Sequence, residues 1–341
     1  MNQRGFVGNG RPAWHLRHHK RALFGEIILH RGAVYLRSTV LALLGAIYVA
    51  QGMPPADAAE SERCRELNRK FEISKPQITA IEISLTLFSA ADGNCVDLAT
   101  LLLDQGASVD ARDRIGARPL SHAARSGHIE MLDLLLARGA PIDARDLNGA
   151  TALYQAADRG QTAVVQRLIE RGADVHLTGR SGVSPVAAAA YAGRDSIVKI
   201  LLAHGADARA PDDTGKPPVI YAAASGRLDI VKQLMAAGNI ELNARYANDL
   251  SLLMWASGPD EKIPEEQAIE VVSYLLDSGA HIDDRDDRGR TALMIAAEGG
   301  HAAIADLLLA RGADPSLKDK VGKRAADLTV LSSLRERLTP R

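Results

Sequence analysis

Seven glycines, Gly106, Gly139, Gly172, Gly205, Gly238, Gly279 and Gly312, follow one another at intervals of 33, 33, 33, 33, 41 and 33 residues. A fixed period of this size constrains the chain more than any local signal. It specifies a stack of similar units, each too small to bury its own apolar face. One unit shows what is repeated. In Gly127-His-Ile-Glu-Met-Leu-Asp-Leu-Leu-Leu-Ala-Arg-Gly139, the residues Ile129, Leu132, Leu135 and Leu136 fall at helical spacing and form an apolar stripe. Gly139 follows the last apolar turn, where a helix end favours a residue that accepts the left-handed conformation. Pro141 and the aspartates beyond it read as a loop.

Upstream of most of these glycines lies a second, shorter helical segment. Examples are Pro119-Leu-Ser-His-Ala-Ala, Thr151-Ala-Leu-Tyr-Gln-Ala-Ala, Ser184-Pro-Val-Ala-Ala-Ala-Ala, Pro217-Pro-Val-Ile-Tyr-Ala-Ala and Thr291-Ala-Leu-Met-Ile-Ala-Ala. With the period and the glycines, these residues make the chain resemble the ankyrin-repeat family. The family pattern is Asp-x-x-Gly-x-Thr-Pro-Leu-His-x-Ala-Ala, then Gly-His and a Leu-rich helix, and the resemblance covers residues 80–330. It implies an α-solenoid of helix-turn-helix pairs with β-hairpin loops, about seven repeats plus caps. The repeats are placed at 80–113, 113–145, 146–178, 179–211, 212–245, 246–285 and 286–318, with an N-terminal capping helix over 59–79 and a C-terminal cap over 319–341.

Three departures from the pattern stand out. The first repeat keeps Leu87-Phe-Ser-Ala-Ala but has apolar residues where the upstream turn belongs, as suits a terminal unit. The segment from Gly238 to Ser251 is one residue longer than that from Gly139 to Thr151, which predicts a bulge at the sixth hairpin. Repeat six carries an insertion, Gly258-Pro-Asp-Glu-Lys-Ile-Pro-Glu-Glu-Gln267, whose prolines and acids predict a solvated excursion between helices at 251–257 and 268–276.

The front of the chain reads as a targeting segment, residues 1–58. Thr39 to Ala50 is an apolar core preceded by basic residues, and Ala56-Asp-Ala58 is a small-x-small site for cleavage after Ala58. Signal peptides usually run about 15–30 residues, so a later start at Val34 is one reading, and Lys20-Arg21 gives a faint twin-arginine motif. Three fates stay open: cleavage and export to the periplasm or beyond, retention as an inner-membrane anchor through 39–50 facing the periplasm, or a cytosolic protein. No stretch reaches the roughly 18 apolar residues of a comfortable span. Residues 1–58 hold seven Lys/Arg against two acids, leaving the rest with 34 basic and 40 acidic residues, a net of −6. A mildly acidic solenoid offers no footprint for nucleic acid. Cys64 and Cys95 are the only cysteines, and in an exported chain an even count makes a bridge between them the default, against two unrelated thiols.

The resemblance implies binding of a partner protein along a concave face of short helices and hairpin tips. Carried over position by position, the contacts fall at Arg112, Arg114, Ile115, Arg145, Leu147, Asn148, Arg180, Thr214, Lys216, Tyr246, Asp287 and Arg288, joined by the short-helix exits Arg125, Arg159 and Tyr191. Arg112, Arg145, Arg245 and Arg285 share one place in their repeats. They read either as one wall of a polarised groove or as self-neutralising pairs with neighbouring acids, which contribute little when exposed. Catalysis is not expected, nor a metal or cofactor. His122, His128 and His301 sit where the family uses histidine structurally, and no phosphate loop or nucleophile elbow occurs. The expected function is a protein-binding scaffold. The competing readings are a membrane-held accessory to a periplasmic enzyme such as a catalase, and a small-ligand receptor with a pocket at the 258–267 insertion.

Overall fold

The computed structural model describes residues 56–74, 79–260 and 262–339, all within the compact unit Pro55–Arg341. Residues 1–55 of the leader, with its apolar core 39–50, the start at Val34 and the membrane tether, lie outside the described residues, whereas the expected cleavage site Ala56-Asp-Ala58 falls in the first turn of a helix. Seventeen α-helices are present among the described residues. They begin with a capping helix α1 (Ala56–Ser74) and a first pair, α2 (Ala80–Gly93) and α3 (Val96–Asp104). Pairs then follow as α4 (Pro119–Ser126) with α5 (Ile129–Ala137), α6 (Ala152–Arg159) with α7 (Thr162–Glu170), and α8 (Pro185–Tyr191) with α9 (Asp195–Ala203). Next come α10 (Pro218–Ala224) with α11 (Leu228–Gly238), α12 (Leu252–Ala256) with α13 (Glu265–Asp277), and α14 (Ala292–Gly299) with α15 (Ala302–Ala310). The stack closes with α16 (Ala325–Leu328) and α17 (Ser332–Leu338).

Each short helix starts on a local signal. The hydroxyls of Thr151, Ser184, Ser251 and Thr291 accept the amides of Tyr154, Ala187, Met254 and Met294, satisfying one of the free donors of the first turn. Proline opens α4, α8 and α10, where its missing N–H costs nothing. Short helices then pack on short helices through alanine. Ala123, Ala156, Ala189, Ala222, Ala256 and Ala296, one in each repeat from the second to the seventh, are completely buried. A larger side chain at any of them would wedge two repeats apart.

The long helices are more deeply enclosed than one stripe. In α5, Met131, Leu132 and Leu135 are fully buried while Ile129 and Leu136 only pack at the edge. The expected stripe omitted Met131. A long helix has a neighbour on either side as well as its own short helix behind it, so its buried arc is wider. Gly139 ends this helix at φ 84°, and Ala140 N–H donates to Leu135 O at 3.0 Å, the closure of a left-handed helix end.

Five expectations are corrected. Gly238 is the last residue of α11, not its stop: Asn239 takes the left-handed conformation at φ 44°, and α11 runs for 11 residues where α5 has 9. The extra residue is therefore absorbed in the helix, and the sixth hairpin carries no bulge. The insertion is not wholly an excursion, because Glu265 to Gln267 add a first turn to α13 and Pro259 is buried. Two acids in that first turn suit the positive end of the helix. In the first repeat, Thr79 and Glu82 form a reciprocal capping box that starts α2 well before Leu87, giving a 14-residue helix. The N-terminal cap occupies Ala56–Ser74 in place of 59–79.

Cys64 and Cys95 are joined by a disulfide. On α1, Cys64, Leu67 and Phe71 recur at i, i+3 and i+7 and supply its contact with the core, Phe71 being buried. A narrow apolar seam and a covalent bond thus join the cap to the first repeat. No described helix is long and apolar enough to cross a membrane.

Candidate functional site

Seven hairpins link the repeats, closed by backbone bonds from residues 113, 146, 179, 212, 246, 286 and 319 to the carbonyl four residues on, all between 2.8 and 3.0 Å. They are turns with too little ladder to count as strands; among the described residues the one isolated bridge joins Arg245 and Ser251. In five of them the first residue is an aspartate whose Oδ1 accepts two amides, two and four residues ahead. Asp146 takes Asn148 N–H at 2.8 Å and Ala150 N–H at 2.9 Å, and Asp113, Asp212, Asp286 and Asp319 repeat the arrangement. This is the side-chain-to-backbone bond that aspartate forms more readily than any larger residue.

The second oxygen of three of these aspartates faces the following short helix. His122 Nε2 lies 3.1 Å from Asp113, Gln155 Nε2 donates to Asp146 at 3.4 Å, and the Tyr221 hydroxyl donates to Asp212. His122 also reaches back one repeat to Asp92 at 3.0 Å. Burial opposes its charged form, but the bonds to Asp92 and Asp113 and the attraction of Asp92 outweigh it and hold its pKa above the ordinary value. Burial likewise opposes the charged form of Asp212. Bonds from Tyr221, Lys216 and Thr214 nonetheless keep its carboxyl below the usual range.

Two hairpins lack the aspartate. At Gly179 and Tyr246 the turn instead uses two successive left-handed residues, Ser181 with Gly182 and Asn248 with Asp249. The short-helix partner is lost with it: Ala188 and Trp255 stand where His122, Gln155 and Tyr221 stand elsewhere. At Gly179 the vacancy is used by a neighbour. A Cβ there would lie 2.8 Å from the ring of Tyr154, so the tyrosine lies directly over the glycine backbone. Burial, then the charges of Asp158 and Asp146, push the Tyr154 phenol up to about 12.

Backbone bonds also run from tip to tip. Leu147 N–H donates to Ile115 O at 2.9 Å, Asp213 to Ser181 at 3.0 Å, Asp287 to Asn248 at 3.2 Å and Lys320 to Arg288 at 2.9 Å. Among the described residues no such bond leads into the tips at 180–182 or 247–249, the two turns without aspartate. At the first of these breaks a cavity of about 600 Å³ opens, lined by Arg145, Leu147, Asn148, Thr178, Arg180 and Asp213. A second, of about 400 Å³, lies between Arg209, Pro217, Ile240 and Tyr246. Neither is lined by the 258–267 insertion, where the receptor reading expected a pocket.

The residues expected to meet a partner divide into two groups. Arg112, Arg114, Ile115, Leu147, Asn148 and Arg180 stand exposed on three consecutive tips, with Asp287 and Arg288 exposed on a later one. Arg288 also pairs with Asp286 at 3.2 Å, and the remaining residues lie against other groups of the chain, some of them in the next repeat. Arg145 donates to Gly149 O at 3.0 Å and to Thr178 O of the next repeat. Arg245 does the same with Asp249 O at 3.0 Å and Arg285 O at 3.2 Å, and Arg285 reaches Lys318 O at 3.2 Å. Three of the four shared arginines, Arg145, Arg245 and Arg285, therefore buckle one repeat to the next. Arg125 pairs with Asp92 at 3.3 Å, Arg159 lies 3.6 Å from Asp158, and Thr214 is tied to Asp212. Lys216 sits over the rings of Tyr221 and Trp255 at 5.8 and 5.5 Å, and Tyr246 is half-buried.

The insertion folds back along the short-helix face. Tyr191 meets Tyr221 edge-on at 6.5 Å, and its phenol is raised by burial and by the carboxylate of Asp260, two repeats further along the chain. Tyr154, Tyr221, Trp255 and Asp260 were missed as members of this face. Aligning the repeats on His122 would have flagged Tyr221 and Trp255, because that position changes chemistry from repeat to repeat while its neighbours stay alanine.

Comparison with known proteins agrees with this architecture. Residues 87–179, 153–246 and 247–319 match the family model described as ankyrin repeats (3 copies). Ankyrin repeat domain-containing protein 63 of Homo sapiens is 45% identical over 51 residues, which are 15% of this chain and 13% of that protein. The Mus musculus protein of the same name matches to the same extent. The chain thus spans 13% of the length of these relatives.

Proposed function

Because the chain belongs to the ankyrin-repeat family, whose repeats generally mediate protein–protein interaction, we propose that it is a non-catalytic scaffold that holds a partner protein and works after export to the periplasm or the cell exterior. The observation that carries the binding reading is the pair of aliphatic side chains, Ile115 at 44% and Leu147 at 80% exposure, set on adjacent tips joined by a backbone bond. Apolar anchors on a rigid, polar-rimmed surface are the usual centre of an interface. The Cys64–Cys95 bridge supports export, since such bonds persist in oxidising compartments.

Affinity capture from periplasmic extract tests the first part. A specific protein retained by the wild type and released by Leu147→Asp supports the scaffold, and capture unaffected by any exposed tip residue sinks it. Alkylation of free thiols before lysis tests the second. Cysteines blocked from alkylation in the exported fraction support the compartment, and a reduced cytosolic pool as the sole form refutes it. Recovery in the membrane fraction would instead favour an anchor through residues 39–50.

A further inference from the structure

The short-helix face of repeats four to six is already occupied by the chain itself. Pro259 is buried, Asp260 faces Tyr191, Tyr191 packs on Tyr221, and Lys216 covers Tyr221 and Trp255. Those aromatic groups are turned toward one another. The tips of the second and third repeats are arranged the other way. Their acids are already engaged: Asp110 pairs with Arg118, Asp113 and Asp146 cap backbone amides, and Asp143 accepts the Asp174 amide at 3.0 Å. Their guanidinium and aliphatic groups point outward, Arg112 and Arg114 exposed beside Ile115 and Leu147. An approaching surface therefore meets free guanidinium N–H donors and hydrocarbon, while the neighbouring carboxylates already have partners.

Building on the protein-binding reading, we propose that the partner docks here through an acidic segment carrying one bulky apolar side chain. That side chain seats across Ile115 and Leu147, and flanking carboxylates pair with Arg112 and Arg114. Both features are needed. Guanidinium groups recognise carboxylates through paired, charge-assisted hydrogen bonds, and desolvation around an apolar anchor strengthens them. A basic segment would bring its charges against these arginines with the nearest acids already engaged.

The test is to immobilise the full chain and select from random peptides displayed on phage, then measure the enriched peptides against wild type, Arg112→Glu/Arg114→Glu, Leu147→Asp and, as a distant control, Val321→Asp, which alters another exposed tip. All four positions are exposed, and circular dichroism checks that each variant folds. The expected peptides are acidic with a leucine, isoleucine or phenylalanine. Charge reversal and Leu147→Asp should each weaken them by about tenfold or more, while Val321→Asp leaves them unchanged. Replacing the peptide acids by lysine should restore binding to the charge-reversed variant and not to Leu147→Asp. Enrichment of basic or uncharged peptides, or acidic ones indifferent to Arg112 and Arg114, overturns the proposal while leaving a scaffold that binds elsewhere. Enrichment of nothing overturns the scaffold with it.

Discussion

The hairpins at Asp146 and Asp212 and those at Gly179 and Tyr246 solve one problem in two ways. In the first kind a carboxylate satisfies two turn amides and grips the next short helix through Gln155 or Tyr221. In the second kind the backbone itself adopts two left-handed residues, and the short-helix position holds Ala188 or Trp255. Three features change together at the second kind: the aspartate, its short-helix partner and the bond from the preceding tip. The aspartate and the tip bond are lost together, whereas Asp286 and Asp319 keep both with Ile295 and Leu328 at the short-helix position, so the side-chain partner adds to the lock and is not a condition of it. Without the aspartate the turn shifts type, the tip moves out of register with its neighbour, and a polar residue on the short helix would have nothing to hold. The helices beneath are little altered by the change, because α8 and α9 bury every position that α4 and α5 bury, and Ala188 besides.

The strongest way to break this comparison is in the core. Leu135→Ala and Leu201→Ala, both fully buried, should each cost about 2–5 kcal/mol by urea denaturation. A much smaller loss at Leu201 would mean that the unlocked repeat is also loosely packed. Next, Asp146→Ala should cost about 1.5–3 kcal/mol, since it strands two turn amides and the Gln155 amide. Tyr246→Ala, which removes no such bond, should cost clearly less. Installing the missing acid sharpens the contrast. Gly179→Asp should lose about 1–3 kcal/mol through collision with the Tyr154 ring. The double variant with Tyr154→Ala should recover part of that loss; no recovery would show that the turn type, not the ring, excludes the acid.

The smallest effect concerns pH. His122 has a raised pKa when folded, so its stabilisation is complete below about 6.5 and is lost as pH climbs through the raised value. Asp92 has a lowered pKa: burial opposes its charged form, but the bond and charge of His122 and then Arg125 prevail. Its contribution is present above about 3.9 and is lost as pH falls through the lowered value. The contact between the first two repeats is therefore firmest from about pH 4 to 6.5. Raising pH from 6 to 8 should lower the urea midpoint of wild type more than that of His122→Gln, whose amide imitates Gln155. Equal slopes would remove His122 from the lock.

Much of this was legible in the chain. The glycine spacing, the Thr/Ser caps and the Ala-Ala pairs announce two helices per unit, because capping and helical periodicity act over a few residues. The disulfide followed from two cysteines after an export-like leader. Gly238 misled because a glycine in the right column looks like a stop, whereas the helix used Asn239 one residue later. The arginines misled for a different reason. Arg145 and Arg245 look like tip charges, but each finds a carbonyl in the next repeat, 33 and 40 residues away.

The division between the two kinds of information is therefore one of range. The amino-acid order by itself determined that similar helix pairs stack in file, since most units carry their own start, stop and apolar side and need only a neighbour to bury it. Packing between units decided which charges remain outward, where the insertion lies and how Tyr154 comes to cover Gly179. Long side chains and loops have many conformations of similar local energy, so the choice among them is made by atoms one or two repeats distant.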